Sequence, residues 1–155
     1  MIIVLFGQPA SGKTTLAESV QKELFIKEHA SYPIIDGDEI REIFKNKDYS
    51  REGRIKNLNR ISDISIFLAH KYKTVLVSAV YPYNEARLYL ESVYKNVIWI
   101  YLNYQGERGR EQFHVTDFEL PLAKNNILPI NTSRNDIEFS TQKICSFYWQ
   151  ISNLT

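Results

Sequence analysis

The chain is 155 residues long, 44% hydrophobic and 24% charged, the proportions of a water-soluble fold with room for one compact domain and little for a second. A formal charge of +1 and a pI of about 7.8 exclude a protein that holds nucleic acid or an anionic membrane by bulk charge. No stretch reaches the ~18 apolar residues of a membrane span, and the single cysteine, Cys145, excludes an internal disulfide framework.

The N-terminus reads at once as a strand, Ile2 to Phe6, so no secretory signal is expected. The next eight residues, Gly7-Gln8-Pro9-Ala10-Ser11-Gly12-Lys13-Thr14, fit the phosphate-loop pattern G-x-x-x-x-G-K-S/T without a mismatch. Gly7 lets the chain leave the strand sharply, and Gly12 allows the backbone close to a phosphate on which successive N–H groups converge. Lys13 reaches the outer phosphates, and the Thr14 hydroxyl suits magnesium. The pattern carries weight only between a buried strand and an amphipathic helix. Leu16, Val20 and Leu24 supply that helix at i, i+4 and i+8, its dipole aimed at the same anion.

Tyr32 to Asp36 reads as a second strand ending in acid, followed by a short helix that Asp36 or Asp38 can cap. Residues 45–50 form a polar connector, with Ser50 an N-cap for a long helix from about Arg51 to Tyr72. Its core stripe is Ile55, Leu58, Ile61, Ile64 and Leu68. Thr74 to Val80 is a third strand, Asn84 to Tyr94 a helix, and Asn96 to Leu102 a fourth strand. Residues 103–120 lack a clean period and mix Gly106 and Gly109 with Arg108 and Arg110, which suggests a mobile lid. A last strand at Leu128 to Asn131 and a closing helix from Asp136 to Ile151 complete the chain. Strand–helix alternation predicts one α/β domain over 1–155, a three-layer α/β/α phosphate-loop fold on a five-stranded parallel sheet.

Phosphoryl transfer asks for magnesium ligands, donors to the moving group, and a carboxylate near the accepting oxygen. The strand ending at Ser78 offers no acid, whereas the second strand offers Asp36 and Asp38 at its carboxyl end, where α/β sheets bind ligands. On the long helix, Arg54 and Asn57 share the face of Ile61, with Arg60 at its margin. Polar residues at the start of an inward stripe are expected to line a cleft. A structural ion pair is the competing reading. Cys145 is read as a buried structural thiol, and His29, His70 and His114 carry no metal signal.

The ordered set Gly7–Thr14, Asp36–Arg41 and Ser50–Arg60 resembles adenylylsulfate kinase, whose members pass the γ-phosphate of ATP to the 3′-hydroxyl of adenosine 5′-phosphosulfate. The family's D-G-D-N-x-R, D-R-x-x-N-x-x-R and I-S-P-Y-x-x-x-R are similar to Asp36–Arg41, Gly53–Arg60 and Val80–Arg87, with Glu119-x-Pro121 and Thr132 following in order. The resemblance implies ATP and magnesium, with Lys13, Asp36 and Asp38 catalytic and Thr14 and Asp38 at the metal. It implies a donor site on Gly7, Ala10, Ser11, Gly12, Lys13, Thr14 and Thr15, with Arg108 and Thr132 alongside. Asp38, Arg41, Arg54 and Asn57 would face the acceptor, its base held between Tyr49 and Phe113.

Three departures stand out. The aspartate of D-R is Gly53, the phosphorylatable serine of I-S-P is Tyr81, and the family's lysine-rich lid is cut to residues 105–112. Arg108 and Arg110 offer planar forks in place of those lysines. The expected function is therefore a cytoplasmic nucleotide kinase, with adenosine 5′-phosphosulfate as default acceptor and cytidine diphosphoramidate as the alternative. A non-catalytic nucleotide-binding module is a second class, and a polynucleotide 5′-kinase a third that the near-neutral charge does not favour. No nucleic-acid polymer or membrane partner is expected; a homodimer is left open.

Overall fold

The computed structural model describes residues 1–106, 109 and 111–153, apart from the side chain of Glu111. Its sheet contains β1 (Ile2–Phe6), β2 (Ile34–Asp36), β3 (Val75–Ser78), β4 (Val97–Asn103) and β5 (Ile127–Asn131). All pairings are parallel, as expected, and the strands lie in the order β2-β3-β1-β4-β5. The helices are α1 (Lys13–Glu28), α2 (Gly37–Ile43), α3 (Arg51–Ala69), α4 (Asn84–Val93) and α5 (Ile137–Ser152).

β1 is buried on both faces because helices cover both. Ile2, Val4 and Phe6 point toward α3 and α4, where they join Leu58, Ile61, Leu90 and Trp99. Ile3 and Leu5 point the other way, onto Leu16, Val20 and Leu24 of α1 and Ile144 and Tyr148 of α5. The period of two along a strand thus divides one apolar run between two cores.

Several boundaries differ from expectation. β2 begins at Ile34, because Tyr32 turns its ring into the core and its hydroxyl to Glu28, 2.6 Å away. β3 ends at Ser78, and Tyr81 adopts φ 42° in the loop that follows. α3 stops at Ala69, short of Tyr72, and α5 runs Ile137–Ser152 with Asp136 as its N-cap, accepting from Phe139 N at 2.7 Å. Ser50 caps α3 as expected, its Oγ accepting from Gly53 N at 3.1 Å.

At the amino edge of the sheet, Glu28 accepts from Tyr32, Trp149 and Lys73 and so ties α1, α5 and the entry to β3 together. Burial alone would raise its pKa, but these bonds outweigh it and hold the carboxyl below its ordinary 4.5. Its stabilising contribution is therefore fully present above that value and lost as pH falls below it. Glu28→Gln is expected to lower the melting temperature at pH 7 by about 3 °C. The same change should reduce the fall in melting temperature between pH 5 and 3, measured by circular dichroism.

Candidate active site

The phosphate loop leaves β1 under tight backbone constraints. Gly7 has φ 149°, and a Cβ there would lie 2.4 Å from the Leu102 carbonyl oxygen, so only glycine fits. Gly12, at φ 91°, is the left-handed N-cap of α1. Ala10 also sits at positive φ, 63°. The Ser11 side chain is buried, and the Ser11 carbonyl accepts from the Thr132 hydroxyl at 3.0 Å, which fixes the loop to the end of β5. Lys13 bends back over the loop, its Nζ donating to the Gln8 carbonyl at 2.7 Å and the Gly7 carbonyl at 3.2 Å.

Thr14 opens α1 beside the carboxyl end of β2. Its Oγ1 donates to Asp36 Oδ2 at 2.9 Å and lies 3.0 Å from Ser78 Oγ. The other Asp36 oxygen caps α2 by accepting from Asp38 N at 2.8 Å. The carboxylate beside Thr14 is thus that of Asp36, one of the two acids the sequence left open, whereas the family resemblance put Asp38 with Thr14 at the metal. The reason is register: Asp36 lies opposite Ser78 on adjacent strands, next to the loop, whereas Asp38 is already inside α2. Ser78 has no sequence signal of its own, being a hydroxyl at a strand end where an acid is expected. The register, which a sequence does not display, is the signal that would have found it.

A cavity of about 860 Å3 runs from Lys13, Thr14 and Thr15, past Asp36 and Asp38, to Arg41, Tyr49, Arg54 and Asn57. Phe113 and His114 form its further wall. Asn57 is buried, as its place in the core stripe predicted, and its Nδ2 donates to the Gly37 carbonyl at 3.4 Å. Its Oδ1 is buried and has no hydrogen-bond partner among the described residues. Arg54 is half-buried, its Nε donating to the Tyr49 carbonyl at 2.9 Å. Arg60 instead covers the ring of Phe44, 4.6 Å from its centroid.

The ring of Tyr49 is 61% exposed and carries two guanidiniums, Arg41 at 4.4 Å and Arg54 at 5.4 Å from its centroid. Arg41 is held by the carbonyls of Asp48 at 2.8 Å and Asn46 at 3.2 Å. Partial burial draws its pKa below the ordinary value, against the attraction of Tyr49, Asp38 and Asp48. Phe113 is 60% exposed across the same cavity. The two aromatics expected to sandwich a base therefore line one space, with cations already against one of them.

The connector before α3 explains the missing aspartate at Gly53. A Cβ on Gly53 would lie 2.3 Å from Asp48 Cγ and 2.5 Å from its carbonyl oxygen. Asp48 occupies the space that a residue-53 side chain would need.

The segment 103–120 does not behave as one unit. Its middle contains a 3-10 turn, Glu111–Phe113. Its end is anchored: Val115 is buried against Gln8, and Glu119 accepts from Arg51 at 3.0 Å and from Asn84 N at 2.6 Å. Arg87, buried, donates to the carbonyls of Glu119 at 2.7 Å and Tyr81 at 2.6 Å. Burial lowers its pKa to about 10, still charged at neutral pH. Arg108 and Arg110 lie outside the described residues. Among those described, no cluster of three or more His, Cys, Asp or Glu could hold a metal, and no helix is long and apolar enough to cross a membrane. A second cavity, of about 650 Å3, opens behind Gly12 and Thr15 and reaches Thr132, Asn135 and Ser140.

A glycine-rich loop between a buried strand and a helix, facing acids at the carboxyl edge of a parallel sheet, defines a phosphate-loop nucleotide-binding fold. Residues 1–112 match the adenylylsulphate kinase family, and the chain belongs to that family. It is 35% identical over 100 residues to an adenylyl-sulfate kinase of Microcystis aeruginosa, covering 64% of this chain and 55% of that protein. It is 34% identical over 101 residues to a cytidine diphosphoramidate kinase of Campylobacter jejuni, covering 65% and 59%. The matched stretch thus spans little more than half of either relative. The structure of Mycobacterium tuberculosis APS kinase CysC in complex with AMPPNP and APS superposes with a TM-score of 0.80 over 95% of this chain and 96% of that one. At 18% identity that likeness is one of fold.

Proposed function

We propose that the chain is one ATP-dependent kinase domain, its lid at about 103–120, that transfers the γ-phosphoryl group to the 3′-hydroxyl of a nucleotide conjugate. The observation that carries this is the continuity of one cavity from the phosphate loop to Arg41, Arg54 and Asn57. A site that only held a nucleotide would have no use for a second, cationic half beyond the acids. Adenosine 5′-phosphosulfate is the default acceptor, in keeping with the family. Cytidine diphosphoramidate is the alternative, since a kinase of that acceptor is about as similar to this chain as the adenylyl-sulfate kinases are.

In this reading Lys13 neutralises the outer phosphates, with Gly12 and its neighbours presenting N–H groups to them. Arg108 and Thr132 belong to the donor side, and the second cavity, which Thr132 lines, would take the donor base. Asp36 and Asp38 lie between the two halves, where a carboxylate can accept the proton of the attacking hydroxyl. Arg41 and Arg54 offer charge to the acceptor's anionic end, and Tyr49 and Phe113 offer stacking to its base.

The oxygens of Thr14 and Asp36, 2.9 Å apart with Ser78 beside them, fit magnesium, which needs few protein ligands when phosphates complete its shell. Bound there, the ion would neutralise charge on the phosphates. Cytoplasmic action belongs to the same proposal, in keeping with the single cysteine, Cys145, which leaves no internal disulfide to be kept oxidised.

Incubation with magnesium, ATP and each candidate acceptor tests the reading directly. A failure to consume ATP above background with either acceptor would refute it. Asn57→Ala is expected to raise the acceptor KM about ten-fold and leave ATP affinity unchanged. Equal losses on both sides, read from steady-state kinetics and nucleotide titration, would make Asn57 structural.

A further inference from the structure

Gln8, at the second position of the phosphate loop, is joined to the far side of the cavity. Its Nε2 donates to the Val115 carbonyl at 2.9 Å, and its Oε1 accepts from the Val115 N–H at 2.9 Å. This two-point pairing satisfies both polar groups of one peptide residue, as a neighbouring strand would, across 107 residues of sequence. The main chain of Gln8 meanwhile accepts from Lys13 Nζ at 2.7 Å. One residue therefore holds the donor-side lysine by its carbonyl and the lid by its side chain.

The position of Val115 decides what that tie controls. Beyond it the chain is fixed, Asp117 accepting from the Tyr83 hydroxyl at 3.2 Å and Glu119 bound to Arg51 and Asn84. Before it come Gln112, Phe113 and His114, which line the acceptor half of the cavity. Val115 is thus the fixed point from which that wall projects, and Gln8 holds it to the phosphate loop. Lys13 Nζ, which would turn toward a bound phosphate, is bonded to the carbonyls of Gln8 and Gly7, so the Gln8 peptide is among the groups that such a movement touches.

We propose that Gln8 is a positioning residue, which sets the 112–114 wall against the acceptor and couples it to occupancy of the phosphate loop. The kinetic part of this inference rests on the acceptor reading above; the exchange part does not. Loss of the tie leaves the wall free to shift, and displacements of the order of an ångström in a reacting site cost rate steeply.

The variants are Gln8→Met, similar in shape but unable to form the pair, and Gln8→Ala. Hydrogen exchange read by mass spectrometry on peptides spanning 112–119, with and without magnesium AMPPNP, is the first measurement. The wild type should protect the Val115 amide and protect it further with nucleotide. Gln8→Met should exchange there about ten-fold faster, without response to nucleotide, while peptides from β1 and α5 stay unchanged.

The second measurement uses whichever of adenosine 5′-phosphosulfate and cytidine diphosphoramidate the wild type turns over. Gln8→Met should raise the acceptor KM about ten-fold with little change for ATP, and Gln8→Met combined with Phe113→Ala should be no worse than Phe113→Ala alone. Unchanged exchange at 112–116 in both variants, or equal rises in the two KM values, would overturn the proposal. If the wild type turns over neither acceptor, the acceptor reading falls, and the exchange result still decides whether Gln8 holds the lid.

Discussion

Lys13→Ala is expected to lower kcat/KM by about 1,000-fold, more than any other single substitution in the cavity, with weakened ATP binding and an unchanged melting temperature. In the structure the Lys13 ammonium is already poised over the loop, held by the carbonyls of Gly7 and Gln8. Those carbonyls fix its place at the mouth of the loop, and an ammonium on a flexible stem can turn from there to the outer phosphates. The side chain is half-buried and places a positive charge beside the loop, so its loss should be felt mainly in charge neutralisation. Stopped turnover with ATP affinity intact would restrict Lys13 to the transition state. Loss of the fold would show that it braces the loop.

Gly53→Asp, which restores the residue of the family pattern, is expected to be the most damaging change on the acceptor side. The new Cβ would meet the side chain and the backbone oxygen of Asp48 at 2.3–2.5 Å. Side chains can step aside; a backbone oxygen takes its segment along. Overpacking of this kind costs about 3 kcal/mol, or about 6–12 °C in melting temperature for a chain of this size. Because the Asp48 carbonyl also holds Arg41, and Arg41 lies on Tyr49, the displacement should carry into the acceptor wall. The acceptor KM should then rise by more than the roughly ten-fold expected of Asn57→Ala, with ATP binding preserved. A variant as stable as the wild type would show that the connector yields, and that glycine at 53 is not needed to admit Asp48.

Much of the phosphate loop was legible because its signals are local. A glycine spacing specifies a backbone path, and Leu16, Val20 and Leu24 specify the helix behind it. Asn57 was legible for a related reason, since a polar residue in phase with a core stripe must face inward, and it is buried. What escaped were pairings set by the way the chain folds back on itself. Ser78 joins Thr14 through strand register, and Asp48 fills the place of a missing aspartate through a turn of the connector. Gln8 reaches Val115 from the other end of the chain. None of these pairings leaves a periodic trace.

The segment 103–120 divides along the same line. Glycine and arginine without a period suggested mobility throughout 103–120, yet Val115 to Glu119 is fastened by Gln8, Tyr83, Arg51 and Arg87. Composition reports the absence of a regular element, whereas anchorage depends on which donors lie opposite in space. The sequence by itself determined the loop, the order of strands and helices, and which helix faces turn inward, because periodicity and glycine geometry act between near neighbours. Only the tertiary structure decided which carboxylate meets Thr14 and where Val115 to Glu119 is held, because those contacts join residues that the parallel crossovers bring from distant parts of the chain, and what fills the space at Gly53, which depends on how the connector folds back on the start of α3.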